Sequence, residues 1–384
     1  LAHSGIGSTI PAPRMENAAA ALAGIDGIDA VIAGHTHQIF PAADFPASPG
    51  IDPVRGTLQG KPAVMAGFGG SHLGVIDLRL TPGPQGWQVQ DFTVRSEAVA
   101  ASLPAHAEVA RPAMPAHRAT IRHLRRRVGR VESPMNSYFS LIGHDPGLQL
   151  VNMAQRWYVR SRLRGTEWAD LPLLSASAPY RAGGRGGPDH YTDVSAGRLS
   201  LRHLADLYTF PNRVCAIRLN GAQLRDWLER SASLFLPVRP GSFDAPLLDP
   251  DFPCYNFDVI DGVTWQIDLS QPARFTATGQ LAHADARRIR ITEWRGRSVG
   301  DGDQFLLATN SFRLSTCGLF SPLVSGNQIA LAEGRLTRDI LRHYLRIRRR
   351  IAIADNPAWN FRPMPGTSVR FETGPRGLSH LDDM

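Results

Sequence analysis

The chain has 384 residues, enough for two domains with sizeable cores. Its 43% hydrophobic and 20% charged residues are an ordinary globular composition, and no apolar run approaches the roughly 18 residues of a membrane helix. The net charge of +8 excludes an acidic solvating chain; it is almost entirely arginine, Lys61 being the only lysine, so it reflects either genomic base composition or a preference for anionic substrates.

An apolar residue, His3 and Gly5 open the chain. Good helix formers fill residues 16–23, closed by Gly24. The apolar run 30–33 between Gly27 and Gly34 reads as a buried strand, followed at once by His35 and His37. In extended backbone, residues two apart share a face, which would send both imidazoles out together from the carboxyl end of the strand. A strand–helix–strand order would bring His3 to the same edge. Neutral imidazole is a common zinc-type ligand, while two histidines in a polar loop is the plain alternative. The loop 40–61 is rich in Pro, Gly and Asp. Residues 74–80 and 88–95 alternate as half-buried antiparallel strands.

Residues 105–127 read as a helix broken by Pro112 and Pro115, ending in arginines that suit a solvated helix face. A composition change here marks a linker. Beyond it, helices are expected over 148–158, 201–207, 222–233 and 336–347, and strands over 171–177, 214–219, 263–269, 288–294 and 304–308. Asn220-Gly221 reads as a turn. From residue 356 the composition suggests a loose tail. The domain plan is therefore 1–104, a linker helix 105–127, a second domain 128–355 and a tail 356–384. Cys215, Cys254 and Cys317 are odd in number and widely spaced, so a disulfide framework is not expected, though one pair stays open.

The pieces "AHSGIG", "ENAAAALAGIDGIDAVIAGHTHQIFP" and "GFGGSHLGVIDLRL" resemble the closing third of a calcineurin-like metallophosphoesterase domain of the 5′-nucleotidase superfamily. "SYFSLIGHDPGLQLVNMAQ", "SASAPYRAGGR", "LADLYTFPNRVCAIRLNG", "DFPCYNFDVIDGVTWQIDLSQPARF" and "FLLATNSFR" extend the resemblance to about residue 362. They favour the 2′,3′-cyclic-nucleotide 2′-phosphodiesterase/3′-nucleotidase branch. The resemblance implies an α/β protein, α+β overall: the C-terminal part of a four-layer metallophosphoesterase sandwich, a linker helix and a 5′-nucleotidase C-terminal α/β domain. It implies His3, His35 and His37 as metal ligands, Phe210 and Phe312 as a base-stacking pair, and Arg181 near the phosphate.

The family's earlier Asp-x-His, Gly-Asp and Asn-His-(Asp/Glu) motifs do not precede His3. The expectation is therefore a parent enzyme with two divalent ions (zinc, manganese or similar) and a truncated chain that is inactive, contributes no catalytic residue of its own and holds at most one ion weakly. The resemblance further implies small-molecule nucleotide substrates, no stable nucleic-acid partner, a monomer, and a periplasmic or secreted location. The rivals are a 5′-nucleotidase or UDP-sugar hydrolase specificity, a non-catalytic nucleotide-binding module, and a thiosulfohydrolase relative, against which the base-sandwich pieces argue. One departure follows Phe312: Ser315-Thr316-Cys317-Gly318 stands where the family has a Gly-Gly turn.

Overall fold

The computed structural model describes residues 1–13, 15–84, 86–250, 252–315, 318–354 and 356–383. The chain divides into two compact units, Leu1–Met114 and Pro115–Met384. Each is described by itself.

In the first unit, helix α1 (Ala19–Ala23) leads to β1 (Val31–Ala33). Strands β2 (Ile39–Phe40), β3 (Ile51–Asp52), β4 (Thr57–Leu58) and β5 (Lys61–Ala66) follow. The sheet order is β1-β5-β4-β3, with β1 and β5 parallel and β2 on β5 antiparallel. The 40–61 loop thus contains a small hairpin of β3 and β4. Residues 2–4 run beside β1: Ala2 N donates to Ile32 O and Gly34 N to Ser4 O. Residues 1–5 form no strand of their own, so of the expected strand–helix–strand order only the helix and the second strand are present, and the helix begins three residues late. The Glu16 side chain meets His35 instead, and Ala18 N donates to Ser4 Oγ. The core is small: Ala19, Ala20, Val31, Phe40, Leu58 and Met65 are its centre. β6 (His72–Gly83) and β7 (Gly86–Ala98) form a long hairpin in register from His72–Ala98 to Gly83–Gly86, longer than the alternation suggested and mostly exposed.

Helix α2 (Ala107–Leu124) runs through Pro112 and Pro115 without a break, correcting the sequence expectation. It buries none of its residues, so water can satisfy the carbonyls that the prolines release.

The second unit is built on a five-stranded mixed sheet. Its first elements are β8 (Arg127–Val131), β9 (Met135–Asn136), α3 (Pro146–Arg162) and β10 (Leu173–Ser177). Then come β11 (Asp193–Val194), β12 (Gly197–Ser200), α4 (Leu201–Leu207), β13 (Val214–Asn220) and α5 (Gly221–Ser231). β14 (Ala245–Pro246), β15 (Val259–Asp261), β16 (Thr264–Ile267), β17 (Ile289–Glu293) and β18 (Gln304–Asn310) follow. Short helices α6 (Ser311–Ser315) and α7 (Ser321–Ser325), strand β19 (Ile329–Leu331) and helix α8 (Thr337–Arg348) precede β20 (Arg350–Ile351), β21 (Trp359–Phe361) and β22 (Val369–Arg370).

The central order is β15-β10-β18-β13-β19, with β10 and β18 parallel and β13 antiparallel to β18. Alternation along β18 shows why the sheet is buried on both faces. Phe305 and Leu307 join the core with Trp227 of α5, whereas Leu306 and Ala308 join the core with Leu150 of α3 and Leu341 of α8. Asp145 caps α3 through its Oδ1, which accepts from Leu148 N at 2.9 Å, and Pro146 takes the first helical position.

Two expectations are corrected here. Asn220-Gly221 is not a separate turn but the cap and first residue of α5: Asn220 Oδ1 accepts from Gln223 N, and Gln223 Oε1 accepts from Asn220 N. Residues 356–384 are not a loose tail. β21 pairs with β16, β22 pairs with β14, and Trp359 is 3% exposed, in the core with Phe257 and Trp265. Cys215 and Cys254 are free thiols, and burial raises the Cys215 pKa to about 11. Cys317 and Thr316 lie outside the described residues, and with them the departure that follows Phe312.

Candidate functional site

The histidines of the first unit do follow the carboxyl end of β1, but not in extended backbone. His35 and His37 both take left-handed φ values, 72° and 60°, in the turn between β1 and β2. The reading that two-residue spacing on a strand aligns them is therefore corrected. Such conformations are uncommon for residues other than glycine, and histidine is among the types that accept them. The His3 and His35 rings are neighbours, 5.3 Å apart and nearly perpendicular. Gly34 lies against His3, and a Cβ on Gly5 would collide with Thr36 and Asn17, so this turn needs its glycine neighbour. Glu16 Oε1 is 2.8 Å from His35 Nε2. Ser4 holds Glu16 in turn, donating to its backbone oxygen at 2.7 Å. His37 stacks instead on Phe68 at 4.3 Å. Imidazoles suit a divalent ion chemically, yet among the described residues no three His, Cys, Asp or Glu side chains are placed to hold one.

The second unit assembles its candidate residues at one end of the central sheet. β10 and β18 end there, and β13 begins there, because Val214 pairs with Asn310. Phe210 precedes β13 and Phe312 follows β18. Their segments are tied together: Ser311 N donates to Arg213 O at 2.8 Å, and Arg213 N donates to Ser311 Oγ at 3.1 Å. The two phenyl rings are 45% and 41% exposed, so neither is a core residue.

What lies beneath them was not legible as a motif. Tyr180 follows β10 and meets Phe210 edge-on at 5.3 Å and Tyr208 at 4.9 Å. Its hydroxyl donates to Tyr208 Oη at 3.2 Å and accepts from Asn310 Nδ2 at 3.2 Å. Asn212 Nδ2 donates to Tyr208 Oη at 3.4 Å. Burial pushes the Tyr180 hydroxyl pKa well above its ordinary value, with Tyr208 next among the causes. Behind Phe312, Arg313 is buried. Its Nε and Nη2 bond both oxygens of Asp258, at 2.9 and 2.8 Å, and Trp227 Nε1 donates to Asp258 Oδ2 at 3.0 Å. Arg313 also donates to Asn256 Oδ1 and Tyr255 O. A buried arginine needs such partners, and here they lock the backbone that carries Phe312.

Arg181 is half-buried beside this network. Its Nη1 is 3.4 Å from Asp206 Oδ1, and its Nε is buried without a hydrogen-bond partner. Ser137 Oγ donates to Arg181 O and accepts from Thr192 N, which ties down the arginine's backbone. His190 sits nearby, its pKa lowered first by burial and then by the Arg181 charge.

The second unit thus carries two exposed phenyl side chains, Phe210 and Phe312, and the half-buried Arg181 on the segments at one end of its central sheet. Residues 148–325 match the family model described as "5'-nucleotidase, C-terminal domain". The chain is 36% identical to a trifunctional nucleotide phosphoesterase of Bacillus subtilis over 97% of its own length and 26% of the relative. It is 37% identical to the 2′,3′-cyclic-nucleotide 2′-phosphodiesterase/3′-nucleotidase of Haemophilus influenzae over 98% of its own length and 59% of the relative. A solved putative 5′-nucleotidase of Staphylococcus aureus shares the fold, with a TM-score of 0.64 and 16% identity over 94% of this chain and 62% of that one. Residues 148–325 are thus similar to a 5′-nucleotidase C-terminal domain, and the chain spans from about a quarter to 59% of the length of these two curated relatives.

Proposed function

We propose that this chain is part of a metal-dependent phosphoric ester hydrolase that acts on 2′,3′-cyclic nucleotides and 3′-nucleotides. The observation that carries the reading is the phenyl pair, Phe210 and Phe312, exposed at one sheet end and held by the Arg213–Ser311 bridge. A base stacked against such rings gains about 1–3 kcal/mol per ring. Arg181 is our phosphate contact, since a guanidinium donates to phosphate oxygens in a fixed fork. Asp206 would hold it in place until substrate arrives. We assign residues 1–104 to the metallophosphoesterase part, 105–127 to a linker and 128–355 to the substrate domain.

His3, His35 and His37 are our candidates for imidazole ligands of a divalent ion. The described residues do not complete a site, so we route no step through a metal, and expect at most one weakly bound ion. We keep a periplasmic or secreted location and a monomer as working assumptions. A 5′-nucleotidase specificity is the competing assignment.

Calorimetry with adenosine tests the stacking pair. Phe210→Ala and Phe312→Ala should each weaken binding by roughly 5- to 150-fold, corresponding to the 1–3 kcal/mol above. Hydrolysis assays of a full-length version with 2′,3′-cyclic, 3′- and 5′-nucleotides separate the specificities, and cleavage of 5′-monophosphates alone would overturn our choice.

A further inference from the structure

Two arginine runs more than two hundred residues apart, "RHLRRRVGR" and "RIRRR", meet on one small sheet. That sheet is β12-β8-β20. Arg130 of β8 pairs with Arg198 of β12 on one side and with Arg350 of β20 on the other. Directly paired residues point to the same face. All three side chains are exposed, while Val131, Leu199 and Ile351 on the opposite face are buried. Arg127 is exposed on the same strand as Arg130. The flanking arginines join by backbone: Arg130 N donates to Arg349 O, and Leu201 N donates to Arg126 O.

Like charges placed directly opposite one another destabilise a sheet. Arg350 is answered by Glu132, but among the described residues Arg127, Arg130 and Arg198 have no carboxylate at ion-pair distance. Neighbouring strands lie about 4.8 Å apart, so three arginines make a line about 10 Å across. That line can follow successive phosphates of one strand, where the exposed arginines meet backbone charge without entering a groove. A membrane surface fits less well. The exposed residues of these strands are Arg127, Arg130, Arg198 and Arg350, with no large apolar side chain to bury in a bilayer.

We propose that the arginine face of β12, β8 and β20 binds the phosphate backbone of single-stranded RNA, at a place separate from the phenyl pair. The proposal departs from the expectation of no stable nucleic-acid partner. No aromatic side chain stands on this face, so binding is sequence-independent and salt-sensitive.

The test is fluorescence anisotropy of the full chain with a labelled oligouridylate of about 15 nucleotides, a length that one binding domain can span. The expected log–log salt slope is about −2, from three phosphates at about −0.7 each. The double variant Arg130→Glu with Arg198→Glu should weaken binding at least tenfold, and the milder Arg130→Gln with Arg198→Gln about threefold. Both should melt as the parent does. Should the charge-swapped pair misfold, the neutral pair alone decides. Excess adenosine should leave the oligonucleotide bound. Unchanged binding in the neutral pair would overturn the proposal. So would displacement by adenosine, tighter binding of an RNA duplex, or preference for phosphatidylserine vesicles over RNA. None of these outcomes depends on the hydrolytic reading, which the nucleotide assays test separately.

Discussion

The two units build their candidate sites in opposite ways. In the first, His3, His35 and His37 stand on turns around a small core, held by exposed contacts such as Glu16 with His35, whose side chains are 76% and 36% exposed. In the second, Phe210 and Phe312 are exposed but lie over the half-buried Tyr180 and the buried Tyr208, Asn310 and Arg313–Asp258 pair. The contrast teaches that an exposed ring can be positioned as firmly as a core residue when the neighbouring side chain is anchored. A surface turn relying on screened ion pairs is not held in that way.

Breaking the anchor should have the largest effect. Arg313→Met leaves Asp258 buried and unpaired, and both partners are 2% exposed. We expect a loss of about 3–5 kcal/mol in urea unfolding. A loss below 1 kcal/mol would show that the second unit is no better anchored than the first. Next comes Tyr180→Phe, which removes the hydroxyl shared by Tyr208 and Asn310. It should cost about 1–3 kcal/mol and weaken adenosine binding, because the edge that orients Phe210 loses its tether. Stability that falls while affinity holds would separate Tyr180 from the base site.

In the first unit, Ser4→Ala removes the hydroxyl that accepts from Ala18 N and donates to Glu16 O. About 0.5–1.5 kcal/mol is expected, read as faster hydrogen exchange in residues 16–18. The smallest effect sharpens the comparison from the other side. Arg181→Gln should raise the His190 pKa in an NMR titration, since the arginine charge is the second cause of its depression. The sign follows from linkage. A histidine with a lowered folded pKa binds fewer protons folded than unfolded, so its stabilising share is present above about 6.5 and fades as pH falls through the depressed value. The variant should lose less stability than the parent on acidification; an unmoved His190 resonance would show that burial alone sets its pKa.

Much was legible in residue order. The 201–207 helix, the 214–219 and 304–308 strands and the α3 face carrying Leu148, Val151, Asn152 and Gln155 follow from periodicity, because burial on one stripe or one sheet face leaves a local pattern. Some local signals pointed the wrong way. Asn-Gly serves a turn or a helix cap equally well, and at Asn220 the reciprocal bonds with Gln223 decide for the cap. Prolines in α2 are tolerated because the helix is solvated, which no local pattern records. The apparent tail is fixed by Trp359, an indole whose partners lie about a hundred residues earlier.

The sequence alone determined the elements, the family resemblance and the candidate residues, because those depend on spacing along the chain. Tertiary structure decided which residues meet: Phe210 with Tyr180, Arg313 with Asp258, and Arg130 between Arg198 and Arg350. It also turned His35 and His37 out of extended backbone. Such pairings are set by strand register and by the need to satisfy buried charge, and both act between residues far apart in the chain.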